Sequence, residues 1–247
     1  MSQNWMLSDI NTLRSKGGDV TISFGGAAGN ELAQDCTTVS ALQAQYQNVV
    51  SLYQLKHMDF DIEGTDVTDT AATSLRDQAL HNLEQANPGL TISFTLPIEP
   101  YGMPAAEYAV VQDAIAKNVV LEHVNVMAMD FGHSSDYGGA MGTDAMWSGW
   151  STMYQLQGLY PSLTHAQVAA MVGITPMIGV NNTKSEIFQL TDAQYLEPEA
   201  LNQGVGLLTF WSGARDVACA RTGSVKPNCS GVVQTQWEYS GIFQTFN

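Results

Sequence analysis

The sequence is poor in basic residues: 9 Lys and Arg stand against 24 Asp and Glu, for a net charge of −15. No Lys/Arg cluster interrupts that balance. This excludes the positive footprint of a nucleic-acid-binding protein and disfavours an anionic membrane surface as partner. Long apolar runs are also missing, and none reaches the ~18 residues that span a bilayer. The opening "MSQNWMLSDI" lacks the basic and apolar segments of a secretory leader, so either none is needed or it is not part of this chain. Histidines are few and show no ligand spacing, so neither metal nor cofactor is assigned. Cysteines number only three: Cys36, Cys219 and Cys229. The last two close a loop rich in Gly, Pro, Ser and Asn, "CARTGSVKPNC", which reads as a small disulfide loop from an oxidising compartment, with two free thiols as the alternative. Cys36 is left over.

Apolar residues make up 45% of the chain, enough for a substantial core. β-Branched runs recur at 20–26, 57–64, 91–97, 124–130, 171–179 and 206–212. Their centres fall about 33 to 37 residues apart, with one interval of about 48, the spacing of repeated βα units. Between them lie segments of helical period. In "VSALQAQYQNVVSLYQL" the residues Leu42, Tyr46, Val49, Val50 and Tyr53 share one face, and in "ATSLRDQALHNLEQA" Leu75, Ala79, Leu80 and Leu83 do the same. "AAEYAVVQDAIAKN" and "THAQVAAM" serve the later strands. Trp147 and Trp150 fall in "DAMWSGWSTMYQL", a helix in which their spacing reads as packing. Alternating strands and helices predict a parallel sheet with helical cover.

One strand is unusual. "HMDFDIEG" places Asp59, Asp61 and Glu63 at period two, with Phe60 and Ile62 between them. In a strand the three acids share a face. Helices covering both faces of a doubly wound sheet would bury three carboxylates at great cost. A barrel instead turns them inward, toward the open C-terminal mouth, and sends Phe60 and Ile62 out to the helices. The expected fold is therefore α/β of (β/α)8 type, with six strands where eight close a barrel. The segment before the first strand reads as one amphipathic helix, so two βα units are expected to be missing next to 20–26.

These residues resemble the chitinases of glycoside hydrolase family 18. "SFGG" ending a strand, "DFDIEG" closing the next, then "VMAMDFG" and "FWS", follow in the family's order at βα spacing. Ser23, Gly25 and Gly26 match its SxGG motif, and Asp59, Asp61 and Glu63 match the last three acids of DxxDxDxE. The first of those acids is here Lys56. Where the family has MxYD, this chain has Met127, Ala128, Met129 and Asp130, so Met129 replaces a tyrosine that holds the substrate's N-acetyl group. Trp211 matches the tryptophan flooring the −1 sugar site, and a cis bond to Ser212 is expected after it. Met177 and Tyr101, at strand ends, are further cleft candidates.

The resemblance implies a secreted, extracellular enzyme with a single catalytic domain over 1–247. Its partners would be chitin or chitooligosaccharides, with self-association as one way to cover open barrel edges. It further implies retaining hydrolysis of β-1,4-linked N-acetylglucosamine in which the substrate's own acetamido oxygen attacks and forms an oxazolinium ion. Glu63 would be the general acid, with Asp61 and Asp59 supporting it as a coupled set. Two alternatives stay open: an endo-β-N-acetylglucosaminidase acting on N-glycans, and a chitin-binding protein without turnover.

Overall fold

Strands form where β-branched and aromatic residues cluster, and helices where an apolar stripe of helical period takes over. The computed structural model describes residues 5–136, 138–183 and 185–246. The chain divides into two compact units, Met1–Thr95 with Ala109–Glu122, and Leu96–Tyr108 with His123–Asn247. From the sequence, one domain over 1–247 was expected. Residues 1–4, 137, 184 and 247 of that span lie outside those described.

The first unit opens with α1 (Leu7–Ser15) and continues through β1 (Ile22–Gly25), α2 (Leu32–Asp35) and α3 (Val39–Tyr53). There follow β2 (His57–Asp61), α4 (Thr70–Ala86) and the start of β3 (Thr91–Pro97). The strands are parallel in the order β1-β2-β3, with Ser23 and Ser93 both level with Asp59. Among the described residues β1 pairs with β2 alone, as expected for a gap beside 20–26. Helix α3 starts where the Thr38 hydroxyl accepts from Ala41 N at 3.2 Å, and α4 where Asp69 accepts from Ala72 N at 3.0 Å. The buried face of α3 is Leu42, Tyr46, Val50 and Tyr53. Tyr46 meets Phe24 and Phe60 edge-on at 5.1 and 5.2 Å, and Phe60 continues the cluster to Phe94 at 6.1 Å. On α4 the buried face also includes Arg76 and Asp77, which a purely apolar stripe does not predict.

Helix α5 (Ala105–Ala116) and strand β4 (Leu121–Ala128) each have residues in both units. The second unit continues with α6 (Met141–Leu159), α7 (His165–Ala170), β5 (Val172–Pro176), β6 (Gly179–Val180), β7 (Ile187–Phe188), α8 (Leu190–Gln203), β8 (Leu207–Leu208) and α9 (Glu238–Phe243). Its parallel strands run β4-β5-β8. The single run at 171–179 is in fact β5 followed by the start of a small antiparallel hairpin, β6–β7. The run at 206–212 is paired as regular strand only at Leu207–Leu208. Helix α8, not among the expected helices, contains Pro198 in its interior. Gly204, at φ 73°, ends it. No helix among the described residues is long and apolar enough to cross a membrane.

Candidate active site

Strand β2 alternates as its sequence requires. Met58, Phe60 and Ile62 are at most 1% exposed, while Asp59, Asp61 and Glu63 are half-buried on the other face. Flanking strands supply the acids' neighbours. Ser23 Oγ donates to Asp59 Oδ2 at 2.5 Å, and Thr95 Oγ1 donates to Asp59 Oδ1 at 2.9 Å. Burial pushes Asp59 above the usual aspartate range, and these two hydroxyls hold it back. Thr95 went unnoticed in the sequence, although the period-two polar positions of "TISFTLP" mark it.

Gly25 has φ +100°, and a Cβ there would stand 2.2 Å from the Asp61 carbonyl oxygen. Only glycine lets β1 turn at this point against β2. Gly26 N then donates to that same carbonyl at 2.8 Å, and its own missing Cβ would be 3.7 Å from Asp61 Oδ2. Burial, then the like charges of Glu63 and Asp59, raise the Asp61 pKa from 3.8 to about 7. Asp61 and Glu63 share a hydrogen bond, and Asp61 Oδ1 is buried without a protein partner. Glu63, which burial also raises, accepts from the Ala27 amide. Glu63 ends the ladder just before the 3-10 turn Gly64–Thr68. Together the acids and hydroxyls form a proton-sharing carboxyl row at a strand end. Lys56 lies outside this row: its side chain is 74% exposed and its ammonium is 3.9 Å from Asp19.

The second unit gathers four other candidates. Asp130, at φ 52°, accepts from Asn182 Nδ2 at 2.9 Å and Thr183 N at 2.7 Å, and its own N–H donates to Asn181 Oδ1 at 3.3 Å. Asn181 in turn donates to Met177 O at 2.9 Å. Met177 and Trp211 are backbone neighbours, with Trp211 N donating to Pro176 O at 2.8 Å and Ile178 N to Trp211 O at 3.0 Å. Trp211 is 58% exposed, so it is no core tryptophan, and its bond to Ser212 is cis. Met129 is half-buried beyond the end of β4. Buried Glu186, unremarked in the sequence, accepts from Phe131 N at 3.0 Å and Gly132 N at 2.7 Å and so shapes the loop after Asp130. Tyr101 sits in a different cluster, on a loop held to α6. Cys219 and Cys229 are joined as a disulfide, and Cys36 is a half-buried free thiol. Among the described residues no three His, Cys, Asp or Glu side chains are grouped to hold a metal ion.

A domain solved from Pyrococcus furiosus, active domain 2 of its chitinase, superposes with a TM-score of 0.89 at 33% identity, over 98% of this chain and 77% of that one. The chain belongs to the chitinases of glycoside hydrolase family 18. Its α/β fold, with six parallel strands, matches the catalytic domains of that family. Two curated relatives are chitinases by name. A probable bifunctional chitinase/lysozyme of Escherichia coli strain K12 is 36% identical over 97% of this chain, and Endochitinase 11 of Metarhizium anisopliae is 38% identical over 87% of it. The match spans 28% and 43% of those two proteins' lengths. No protein-family model matches the chain.

Proposed function

We propose that the chain hydrolyses β-1,4-linked N-acetylglucosamine in chitin, retaining the anomeric configuration with help from the substrate. One observation carries this reading: a half-buried acid at the end of a strand, hydrogen-bonded to a neighbouring carboxyl that keeps its proton to about pH 7. Glu63 donates that proton to the glycosidic oxygen as the bond to the anomeric carbon breaks. The acetamido oxygen of the same sugar attacks from the other face and closes an oxazolinium ring. Asp61 supplies negative charge beside the ring, and its unpartnered Oδ1 is available to the ring N–H. Asp59, fixed by Ser23 and Thr95, adds its like charge to the effects that keep a proton on Asp61. Water, deprotonated by Glu63, then opens the ring and restores both groups. Family resemblance assigns further sugar contacts to Trp211, Asp130, Met129 and Met177 in the second unit and to Gly25 and Gly26 in the first, while Tyr101 falls outside both groups.

Support for chitin comes from the relatives' names and from the Pyrococcus domain, mutants of which were solved with chito-oligosaccharides at 33% identity and a TM-score of 0.89. The disulfide favours an extracellular setting. The test is turnover of soluble chitin oligomers by this chain and by Glu63→Gln, with the product anomer followed by NMR. Retention, and a loss of about 10²–10⁴-fold in the variant, is the expected result. Equal rates in both chains, or an inverted product, would overturn the reading.

A further inference from the structure

Helix α6 presents an unusual outer face. Its one acidic or basic residue, Asp144, is fully buried, so over 19 residues it shows solvent no formal charge. A solvent-facing helix side is normally charged or polar. Here it carries rings instead: Trp147 is 49% and Tyr154 85% exposed, with half-buried Trp150 between them. Residues 147, 150 and 154 fall on one face. Trp147 and Trp150 meet edge-on at 5.4 Å, which fixes their planes. Trp147, expected to be a packing residue, packs on Trp150 and leaves about half of its surface to solvent.

The neighbouring loop is built onto the same helix. Ser151 Oγ donates to Pro100 O at 3.0 Å, and Gln155 bonds Met103 on both sides, accepting from its N–H at 2.8 Å and donating to its carbonyl at 2.9 Å. Gly102 has φ +124°, and a Cβ there would strike the Gln155 amide at 2.8 Å, so the loop lies flat on α6. Tyr101, 64% exposed, is thereby held out to solvent. Beside Tyr154 a cavity of about 670 Å³ opens, lined by Met103, Ala105, Tyr108, Gln155, Gln157 and Gly158. No charged group lines it.

We propose that this face binds a strand of neutral, β-linked polysaccharide, with the rings of Trp147 and Tyr154 stacked under alternate sugars. An uncharged patch on a chain of net charge −15 suits an uncharged ligand. Flat rings match the C–H faces of β-linked sugars, and the Gln157 amide oxygen beside them can accept from hydroxyl and acetamido groups while its Nε2 donates to Leu163 O at 2.9 Å. Seven residues rise about 10.5 Å along a helix, close to the length of a β-1,4-linked disaccharide. The choice of chitin as that polysaccharide rests on the proposed function. The surface does not.

The experiment is sedimentation with insoluble chitin, using Glu63→Gln as the parent so that nothing is cleaved. Adding Trp147→Ala and Tyr154→Ala together should weaken retention by at least about tenfold, as for exposed aromatic anchors at other interfaces. The same pair in the active chain should leave turnover of soluble oligomers unchanged. Unchanged retention would overturn the proposal. So would a concentration-dependent dimer of the parent that the pair abolishes, since the face would then serve a second copy. A chain that binds chitin through these rings but cleaves no oligomer would refute the proposed function and leave this surface standing. Cleavage with unchanged retention would do the reverse.

Discussion

Each unit buries one arginine, and the two are neutralised in opposite ways. Arg76, wholly buried on α4, faces carboxylates: Asp77 at 2.9 Å and Glu31 at 3.3 Å, with its guanidinium 4.8 Å above the Phe94 ring. Arg215, 1% exposed in the second unit, faces backbone instead, donating to the carbonyls of Ile178, Val180 and Lys226. The consequences differ. Burial pulls Arg76 down, but Asp77 and Glu31 push harder and leave its pKa raised, whereas burial wins at Arg215 and leaves it lowered. Asp77 itself is raised to about 7, mainly by burial and partly by Asp113, with Arg76 opposing. A charge held by titratable partners ties stability to pH. A charge held by carbonyls ties it less, because carbonyls do not titrate and Asp130 and Tyr239 act on Arg215 only through space.

The largest expected effect is on the carboxylate-partnered arginine. Arg76→Ala should cost about 3–5 kcal/mol near pH 8, because Asp77 and Glu31 are then buried without a counter-charge. Asp77 takes up a proton as pH falls through about 7, so by pH 5 the loss should shrink. Arg215→Ala should cost about 1–3 kcal/mol, the penalty of leaving buried carbonyls unpaired, and vary less across the same range. Urea unfolding of both variants at the two pH values measures this. Equal pH dependence would break the comparison.

A smaller effect concerns the acid row. Because the folded pKa of Asp61 lies above its ordinary value, the native state keeps a proton that the unfolded chain gives up. The stability this contributes is present below about pH 4 and is lost as pH rises to about 7. Asp61→Asn removes that loss. Its melting temperature should therefore gain on the parent between those values and level off above. Discounted for partial exposure to solvent, the gain is about 1 kcal/mol. An advantage that instead grew toward low pH would reverse the assignment. Turnover should fall on the alkaline side over the same interval, as the Asp61–Glu63 pair loses its proton.

The smallest effect is Thr95→Val, which removes one of two hydroxyls holding Asp59. It should cost about 1 kcal/mol and raise the Asp59 pKa further, which carboxyl NMR titration would detect. An unmoved Asp59 would mean that Thr95 does not share with Ser23 in opposing the effect of burial.

Much of this architecture was legible in the residues. Period-two acids with Phe60 and Ile62 between them predicted a strand with one apolar and one carboxyl face, and that is how β2 is buried. The glycines of "SFGG" marked a turn that tolerates no side chain. Other features were not legible. "SLRDQAL" looks like an ordinary helix segment with Arg76 and Asp77 in solvent, yet both are fully buried. Glu186 sits in a polar stretch with nothing to mark it as the acceptor of two loop amides. Helix α8, with Pro198 in its interior, was not among the expected helices.

The line between the two is one of range along the chain. By itself the sequence determined which residues share a face, where a helix starts at Thr38 or Asp69, and where only glycine could turn, because these depend on neighbours a few positions away. Only the tertiary structure decided which partner each buried charge received. Glu31 reaches Arg76 across 45 positions, and Glu186 reaches Phe131 across 55. It also decided that a loop would lie flat on α6 and leave the rings of Tyr101, Trp147 and Tyr154 facing water. Such pairings carry no local pattern. They follow from which surfaces the packed elements bring together, and from the cost of leaving a buried polar group without a partner.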